Sequence, residues 1–356
     1  PSLYEDEITK LRDREWDESV QETVQSIPTF ESYRGSMYRH RNKNLPPNPT
    51  SRSNVNLEGE WKETTTGENF LLSDSGDDNK ILIFGTTANL QRLSTATTIY
   101  ADGTFYASPG IFKQLYTFHA MIDNEMFALV FALLPDKNEA TYTRLLNELK
   151  TIAIHNNSPL NPDTIFLDFE CASRNAAELL FPNATVKGCF FHYSQRIWKK
   201  VQKLGLQERY KNEEELYRHV RRAAALPLVP SNDVENVWFE SLNDYDTDDV
   251  SITRFNDYVT DQWIEMPASR WNHFETDGPR TTNHLEGWHH KLNNQLHRAH
   301  PNLYTIITLL KKCEAANEIK LLQYAAGGKR KVRKLKYRIL ETRLQNAKDR
   351  LRQGAK

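Results

Sequence analysis

Two aspartates lie within apolar runs that predict buried β-strands. Asp102 lies in the run TIYADGTF at 98–105, and Asp168 lies in the run TIFLDFE at 164–170. Strand centres normally exclude Asp, and an ionised carboxylate is costly to bury without a partner. If the two strands are neighbours, their carboxylates repel by about 4 kcal/mol at about 4 Å and an effective dielectric near 20. A divalent cation between them removes that penalty, so the pair indicates a hard-metal site of the kind that handles phosphate groups.

The apolar runs and the helical patterns between them predict an α/β fold. Five strand-like runs, three with short connections and two separated by helices, occur at 97–106, 115–122, 126–134, 164–170 and 185–191. Short connections indicate an antiparallel meander, whereas intervening helices indicate parallel strands with right-handed crossovers. We therefore expect a mixed five-stranded sheet with flanking helices, in which the strands of Asp102 and Asp168 are adjacent. A further short strand is predicted at 81–84, outside this sheet.

The overall composition excludes several classes of protein. The net charge of the 356 residues is −1, but Lys and Arg concentrate from Lys329 to the C-terminus. This asymmetry indicates a polyanion partner, with a solvated charged helix as an equal alternative. Three cysteines argue against a disulfide framework and for a reducing compartment. No apolar run approaches the roughly 18 residues of a membrane span, so we expect no membrane partner.

A helix predicted over 282–297 carries a candidate third carboxylate. Its polar stripe consists of Asn283, Glu286, His290, Asn293 and His297. One acid among imidazoles and amides suits a metal and phosphate site. Asn283 and Glu286 also match a helix N-cap and its partner three residues later, which is the purely structural alternative. The two aspartates need a further ligand, and this favours Glu286 as the third carboxylate.

Four motifs in this order resemble the Mutator-like element (MULE) transposases. They are YADGTF at 100–105, FLDFE at 166–170, CFFH at 189–192 and TNHLEGWH at 282–289. The resemblance covers roughly residues 80–300 and implies a ribonuclease-H-like catalytic fold. It also implies an Asp-Asp-Glu triad of Asp102, Asp168 and Glu286, separated by an all-α insertion.

The resemblance further implies a DNA transposase of nuclear location. The triad would hold two Mg²⁺ or Mn²⁺ ions, with Asp102 bridging both ions. The substrates would be double-stranded DNA with terminal inverted repeats and a target DNA. Strand cleavage would proceed by hydrolysis and strand joining by transesterification. We expect a homo-oligomer on DNA, at least a dimer, because two transposon ends must be paired.

This interpretation divides the chain into five segments. We predict an N-terminal helical and linker region with a candidate DNA contact at 1–80, the first part of the catalytic core at 81–204, the helical insertion at 205–280, the remainder of the core with the Glu286 helix at 281–326, and a basic C-terminal helix at 327–356.

Several further residues are candidates for DNA contacts. Cys189 and His192 form a CxxH motif, which we place at the end of the fifth strand. In the resembling family this element lies near the active site and contacts DNA. A packed structural pair is the even alternative, and a zinc half-site is weaker because two ligands are missing. The remaining candidates are Asn283, His290, Arg270, Arg280, Lys329, Arg330, Lys331, Arg333 and Lys334. The last five also match a nuclear-localisation signal.

Two other functions fit the same motifs. The first is a domesticated DNA-binding or transcriptional regulator that retains the transposase fold without catalysis. Intact acids at all three motif positions count against it. The second is another ribonuclease-H-like nuclease that acts on RNA–DNA hybrids, and the helical insertion counts against that alternative.

Overall fold

A computed structural model describes residues 22, 25–42, 45–245, 247–276, 278–280, 283–296, 298–330, 332 and 335–353. The chain forms two compact units, Pro1–Asn48 and Pro49–Lys356. In the first unit the described residues contain the helix α1 (Phe30–Asn42). All further elements lie in the second unit.

The second unit contains a seven-stranded mixed sheet. Its strands are β1 (Leu71–Asp74), β2 (Leu82–Phe84), β3 (Thr98–Thr104), β4 (Gln114–Ile122), β5 (Glu125–Leu134), β6 (Thr164–Leu167) and β7 (Thr185–Gly188). The strand order is β1-β2-β5-β4-β3-β6-β7. Strand β3, the central one of the five strands β5-β4-β3-β6-β7, pairs antiparallel with β4 and parallel with β6, and β6 pairs parallel with β7. The predicted mixed sheet, with the strands before Asp102 and Asp168 as neighbours, is confirmed.

The prediction of five strands is wrong, because the sheet continues beyond the meander. The short strand predicted at 81–84 pairs antiparallel with β5, and β1 pairs with β2 at the sheet edge. Strand β1 has four residues, none of them fully buried, so its sequence lacks the long apolar run that predicts a strand. It lies within the segment 1–80 that we expected to precede the core.

Twelve α-helices are present among the described residues. After α1 they are α2 (Thr87–Ser94), α3 (Glu139–His155), α4 (Cys171–Leu180), α5 (Phe190–Lys203), α6 (Gln207–Asn212), α7 (Glu214–Ala225), α8 (Val234–Asp244), α9 (Val250–Val259), α10 (Asn283–Asn294), α11 (Leu303–Ala325) and α12 (Leu335–Arg352). No described helix combines the length and the apolar character that crossing a bilayer requires.

Among the described residues, the two largest apolar cores of the second unit lie on the sheet and among the helices. In the first, Tyr142, Leu145 and Leu149 of α3 recur at helical spacing and pack against one face of the sheet. The second core lies among α5 to α9, where the regular elements between 205 and 264 are helical. Trp238 and Trp263 are fully buried there, as expected for large aromatic side chains in a helical core.

Candidate active site

Asp102 lies near the carboxyl end of the central strand β3, opposite Thr117 of β4. The backbone N–H of Gly103 donates to Asp102 Oδ1 at 2.8 Å. Only 14% of the Asp102 side chain is exposed. Strand β3 therefore holds this carboxylate in a largely buried position at the carboxyl end of the strand.

Asp168 follows directly after β6, which is the parallel neighbour of β3. The strand predicted over 164–170 ends at Leu167, so Asp168 lies just beyond the last paired residue. The backbone N–H of Phe169 donates to Asp168 Oδ1 at 2.6 Å. Because neighbouring parallel strands end at the same edge of a sheet, Asp102 and Asp168 line one pocket, together with Lys137.

Glu286 reaches this edge from the first turn of α10. The preceding residue, Leu285, is fully buried against Tyr100 of β3 and Phe166 of β6. These two rings stack with a centroid distance of 5.0 Å. Leu285 thus anchors α10 across the two strands that precede the aspartates and directs Glu286 toward them.

His192 of α5 lies between two of the acids. Its Nδ1 is 3.5 Å from Asp168 Oδ1, and its Nε2 is 3.6 Å from Glu286 Oε1. Arg196, one turn further along α5, approaches the same Asp168 oxygen at 3.9 Å. The structure therefore brings the three predicted carboxylates together, with one imidazole between Asp168 and Glu286.

The electrostatics of the site reflect burial and like charge. Burial raises the pKa of Asp102 to about 7, the hydrogen bond from Gly103 acts in the opposite direction, and the Asp168 and Glu286 carboxylates raise it further. The pKa of Glu286 is raised as well, first by burial and then by Asp168. Repulsion of this kind favours a bound cation.

A buried histidine, His289, links α10 to β3. Its Nδ1 lies 3.6 Å from Asp102 Oδ2, and its Nε2 lies 3.2 Å from Thr117 Oγ1. The Thr117 hydroxyl donates to the backbone carbonyl of Asp102 at 3.2 Å. Burial lowers the pKa of His289 to about 4, so the imidazole is neutral at neutral pH.

The sequence interpretation missed His289. It lies four residues after Leu285 and three before Leu292, so it falls on the apolar face of α10. An imidazole on an apolar face is the signal that would have identified it, although such a histidine is more often a structural residue.

The CxxH motif lies differently from the prediction. Helix α5 begins at Phe190, so Cys189 is its N-cap and His192 lies in its first turn rather than in the fifth strand. Cys189 is fully buried, and the N–H of Phe190 donates to the carbonyl of Arg280. Burial lowers the pKa of His192, and nearby Asp168 opposes this effect. Within this motif, His192 is the residue that lies against Asp168 and Glu286.

The comparisons with known proteins bear on this part of the chain. Residues 98–196 match the model of the MULE transposase domain. The resemblance to the Mutator-like transposases is confirmed. The comparison with curated proteins gives no match. The matched MULE segment begins at β3 and contains both aspartates and the CxxH motif, whereas Glu286 lies beyond its end.

Outside the MULE segment, the other candidate contacts have different surroundings. Three of the cations form ion pairs: Arg270 with Glu178 at 3.2 Å, Arg280 with Glu341 at 2.7 Å, and Arg330 with Asp123 at 3.2 Å. Lys329 is exposed, and exposed His290 contacts Asn294 on its own helix. Lys331, Arg333, Lys334 and the side chain of Asn283 lie outside the described residues.

The carboxylates of the MULE domain and Glu286 supply oxygen ligands, which Mg²⁺ and Mn²⁺ prefer. Among the residues that the structure describes, no three His, Cys, Asp or Glu side chains form a group arranged to hold a metal ion. An ion held jointly by Asp168 and Glu286 would take the place of the His192 ring. The ligand chemistry fits a hard cation, and the observed side-chain positions require a local adjustment.

Proposed function

We propose that this protein is a DNA transposase that cleaves transposon ends and joins them to target DNA. The observation that supports the proposal is the meeting of Asp102 and Asp168 of the MULE domain with Glu286 at one sheet edge. We also infer that β5-β4-β3-β6-β7 is a ribonuclease-H-like core. In this assignment the helices between α5 and α10 are the insertion, and β1 and β2 are an extension.

Asp102, Asp168 and Glu286 would hold two Mg²⁺ or Mn²⁺ ions, with Asp102 shared between them. When bound, such ions increase the acidity of the attacking hydroxyl and stabilise the departing oxygen. The acids of this chain suit that role, since burial and mutual repulsion raise the pKa of Asp102 and Glu286 in the absence of a cation.

The surrounding residues hold the carboxylates in place. Backbone N–H groups of Gly103 and Phe169 each fix one oxygen of an aspartate. On the other side of the pocket, Lys137 pairs with Glu170 at 2.9 Å and lowers the pKa of Asp102 through its charge. The same set of residues serves both steps, with water as nucleophile in cleavage and a DNA 3′-hydroxyl in joining.

The substrates, assembly and location follow from this assignment. The DNA would carry terminal inverted repeats, and a second DNA would be the target. Two ends require at least a dimer on DNA. A basic C-terminal segment that includes exposed Lys329 fits both a DNA contact and nuclear import.

One feature favours the alternative of a domesticated DNA-binding protein that retains the fold without catalysis. The His192 ring lies within 3.6 Å of both Asp168 and Glu286, where a catalytic ion would bind. If the ring stays there in solution, the acids cannot share a cation. The two functions therefore differ in whether divalent ions bind.

The deciding experiment uses labelled duplexes of the inverted repeats that flank the coding sequence. Wild type is expected to nick them with Mn²⁺ and to join the product to a plasmid, whereas Asp102→Asn and Glu286→Gln do neither. Thermal denaturation with and without Mn²⁺ is the second measurement, since a ligand that binds only the folded state raises its stability. A wild-type protein that binds the duplexes but neither cuts them nor gains stability in Mn²⁺ would overturn the transposase assignment and support the DNA-binding alternative.

A further inference from the structure

Helix α5 carries cations and no acid. Its 14 residues include Arg196, Lys199, Lys200 and Lys203, and neither Asp nor Glu. The whole chain is balanced, with 46 Lys and Arg against 47 Asp and Glu. Other charged helices, such as α7 and α12, mix both signs. The composition of α5 is therefore unusual for this protein.

Three of these cations share one side of the helix. Arg196, Lys199 and Lys203 follow His192 at intervals of four, three and four residues. At 3.6 residues per turn, these four side chains lie within about 60° around the helix axis. We call Arg196, Lys199 and Lys203 the basic face.

The opposite side of α5 is fixed in the protein interior. Tyr193, Ile197 and Val201 are buried in the second apolar core. Their packing sets the rotation of the helix, so the basic face cannot turn inward. The position of its charges is therefore a property of the fold.

The outer part of the basic face lacks acidic partners. Lys199 and Lys203 are exposed, and Lys199 donates to the amide oxygen of Gln195 at 3.0 Å. Within the described ranges, no carboxylate lies within 4.0 Å of either ammonium group. By contrast, the exposed Arg222 is paired with Asp244 at 2.6 Å. The basic face thus presents uncompensated positive charge to solvent.

The inner end of the basic face lies at the carboxylates. Arg196 approaches Asp168 Oδ1 at 3.9 Å and donates to the carbonyl of Phe169 at 3.1 Å. From His192 to Lys203 the helix rises about 16 Å at 1.5 Å per residue. This length covers about four to five nucleotides at 3.4 Å per nucleotide. The charges therefore run outward from the acids over the length of a short DNA segment.

The cations of the basic face would offset the negative charge of the three acids. Three carboxylates repel the phosphates that the proposed reaction must bring to them. A polyanion that runs along α5 gains attraction where the acids alone would repel it.

We propose that the basic face binds the phosphodiester backbone of the DNA next to the bond that is cut. This inference rests on the proposed function, since the acids define where that bond lies. Arg196 holds the phosphate closest to the acids, and Lys199 and Lys203 hold phosphates further along the strand. Contacts of this type position the DNA and carry no sequence information.

The test compares the double variant Lys199→Ala/Lys203→Ala with a matched control, Arg221→Ala/Lys312→Ala. All four residues are exposed, and both variants remove two positive charges. Binding of an inverted-repeat duplex, and of its separate strands, is measured by fluorescence anisotropy over a range of NaCl concentrations in EDTA, so that no cleavage occurs.

The loss of two phosphate contacts makes the slope of log K against log[NaCl] less negative, by about 1.8 for duplex DNA and about 1.4 for a single strand. If the two proteins bind equally at 1 M NaCl, the affinity of the double variant at 0.1 M NaCl is lower by about 25- to 60-fold. A smaller magnitude of this slope in the double variant with either substrate, and no change in the control, supports the proposal. The substrate that shows the change identifies the form of DNA that lies on α5. A slope equal to that of the control overturns it.

Cleavage assays separate this inference from the proposed function. If the double variant binds and cuts like wild type, the basic face is not a DNA site and the transposase assignment stands. If the double variant shows the predicted loss of slope but wild type never cuts in Mn²⁺, α5 binds DNA and the catalytic assignment fails.

Discussion

Nδ1 of His289 lies 3.6 Å from Oδ2 of Asp102, while Nε2 of the same ring meets the hydroxyl of Thr117. That hydroxyl also donates to the backbone of Asp102. Because Glu286 lies one turn before His289 on α10, this contact fixes the helix-borne acid relative to the strand-borne acid. We infer that His289 is a positioning residue for the site.

His289→Ala is expected to reduce the rate of DNA nicking by about 10- to 100-fold, as found for residues that orient metal ligands. The midpoint of the Mn²⁺ titration should rise, since Asp102 and Glu286 are less well aligned. His289→Asn, which retains a polar group, should recover part of both effects. His155→Ala is the matched control, because His155 is exposed at the end of α3 and has no proposed role. Equal rates in the two alanine variants would contradict this role.

Asp102→Asn is expected to stabilise the metal-free protein at high pH. The folded carboxyl has a pKa of about 7, above the ordinary value of 3.8. The folded state therefore binds the proton more tightly, and ionisation costs stability as the pH rises from about 4 to about 7. The variant should gain on the order of 2–4 kcal/mol at pH 8 and almost nothing at pH 4.

Urea denaturation of both proteins at the two pH values measures this difference. An equal effect at pH 4 and pH 8 would show that the carboxylate is not destabilised by ionisation in the folded state.

Gly188→Ala is expected to destabilise the fold more than Gly103→Ala. A Cβ at Gly188 would lie 2.1 Å from the ring of Phe169, which packs edge-on against Trp263. A Cβ at Gly103 would meet Oε1 at the end of the buried Gln114 side chain, which donates to the Tyr142 hydroxyl but has more rotatable bonds than a ring. We expect the free energy of unfolding to fall by about 1–3 kcal/mol in Gly188→Ala and by less in Gly103→Ala.

The free energies of unfolding of the two variants, from chemical denaturation, test this order. Phe169→Leu combined with Gly188→Ala should recover part of the loss, since the smaller side chain makes room. A combined variant less stable than either single change would show that the clash is not the cause.

His273 is expected to contribute to acid sensitivity. Burial lowers its pKa to about 3, and Nε2 lies 3.0 Å from the carbonyl oxygen of Gly188. Because the unfolded imidazole binds a proton near its ordinary pKa of 6.5, stability is lost as the pH falls from about 6.5 toward 3. His273→Gln should show a smaller fall in melting temperature between pH 7.5 and pH 5 than wild type.

The control for this change is His290→Gln at an exposed position. If His273→Gln and His290→Gln lose the same number of degrees on acidification as wild type does, His273 does not carry the effect.

The sequence predicts the central part of the fold because its signals are local. Apolar residues recur at helical spacing along α3, and the long apolar strands β3, β4 and β5 lie where the pattern places them. The pairing of β2 with β5 joins segments distant in the chain, and β1, with three half-buried residues and one exposed residue, has no apolar run that would reveal it.

At the candidate site too, the sequence reveals residues with a local signal but not the contacts between distant segments. Asp102 and Asp168 stand out because carboxylates are rare in apolar strands. The contacts of His192 and His289 depend on how α5 and α10 lie against the sheet, and helical spacing alone does not give those distances.

The packing of α5 has a mechanical consequence. Its first turn places His192 against Asp168 and Glu286, while its later turns belong to the core of the helical region. Helix α5 thus connects the three acids at the sheet to the core of the helical region. A displacement of the helical core would therefore move His192 relative to Asp168 and Glu286.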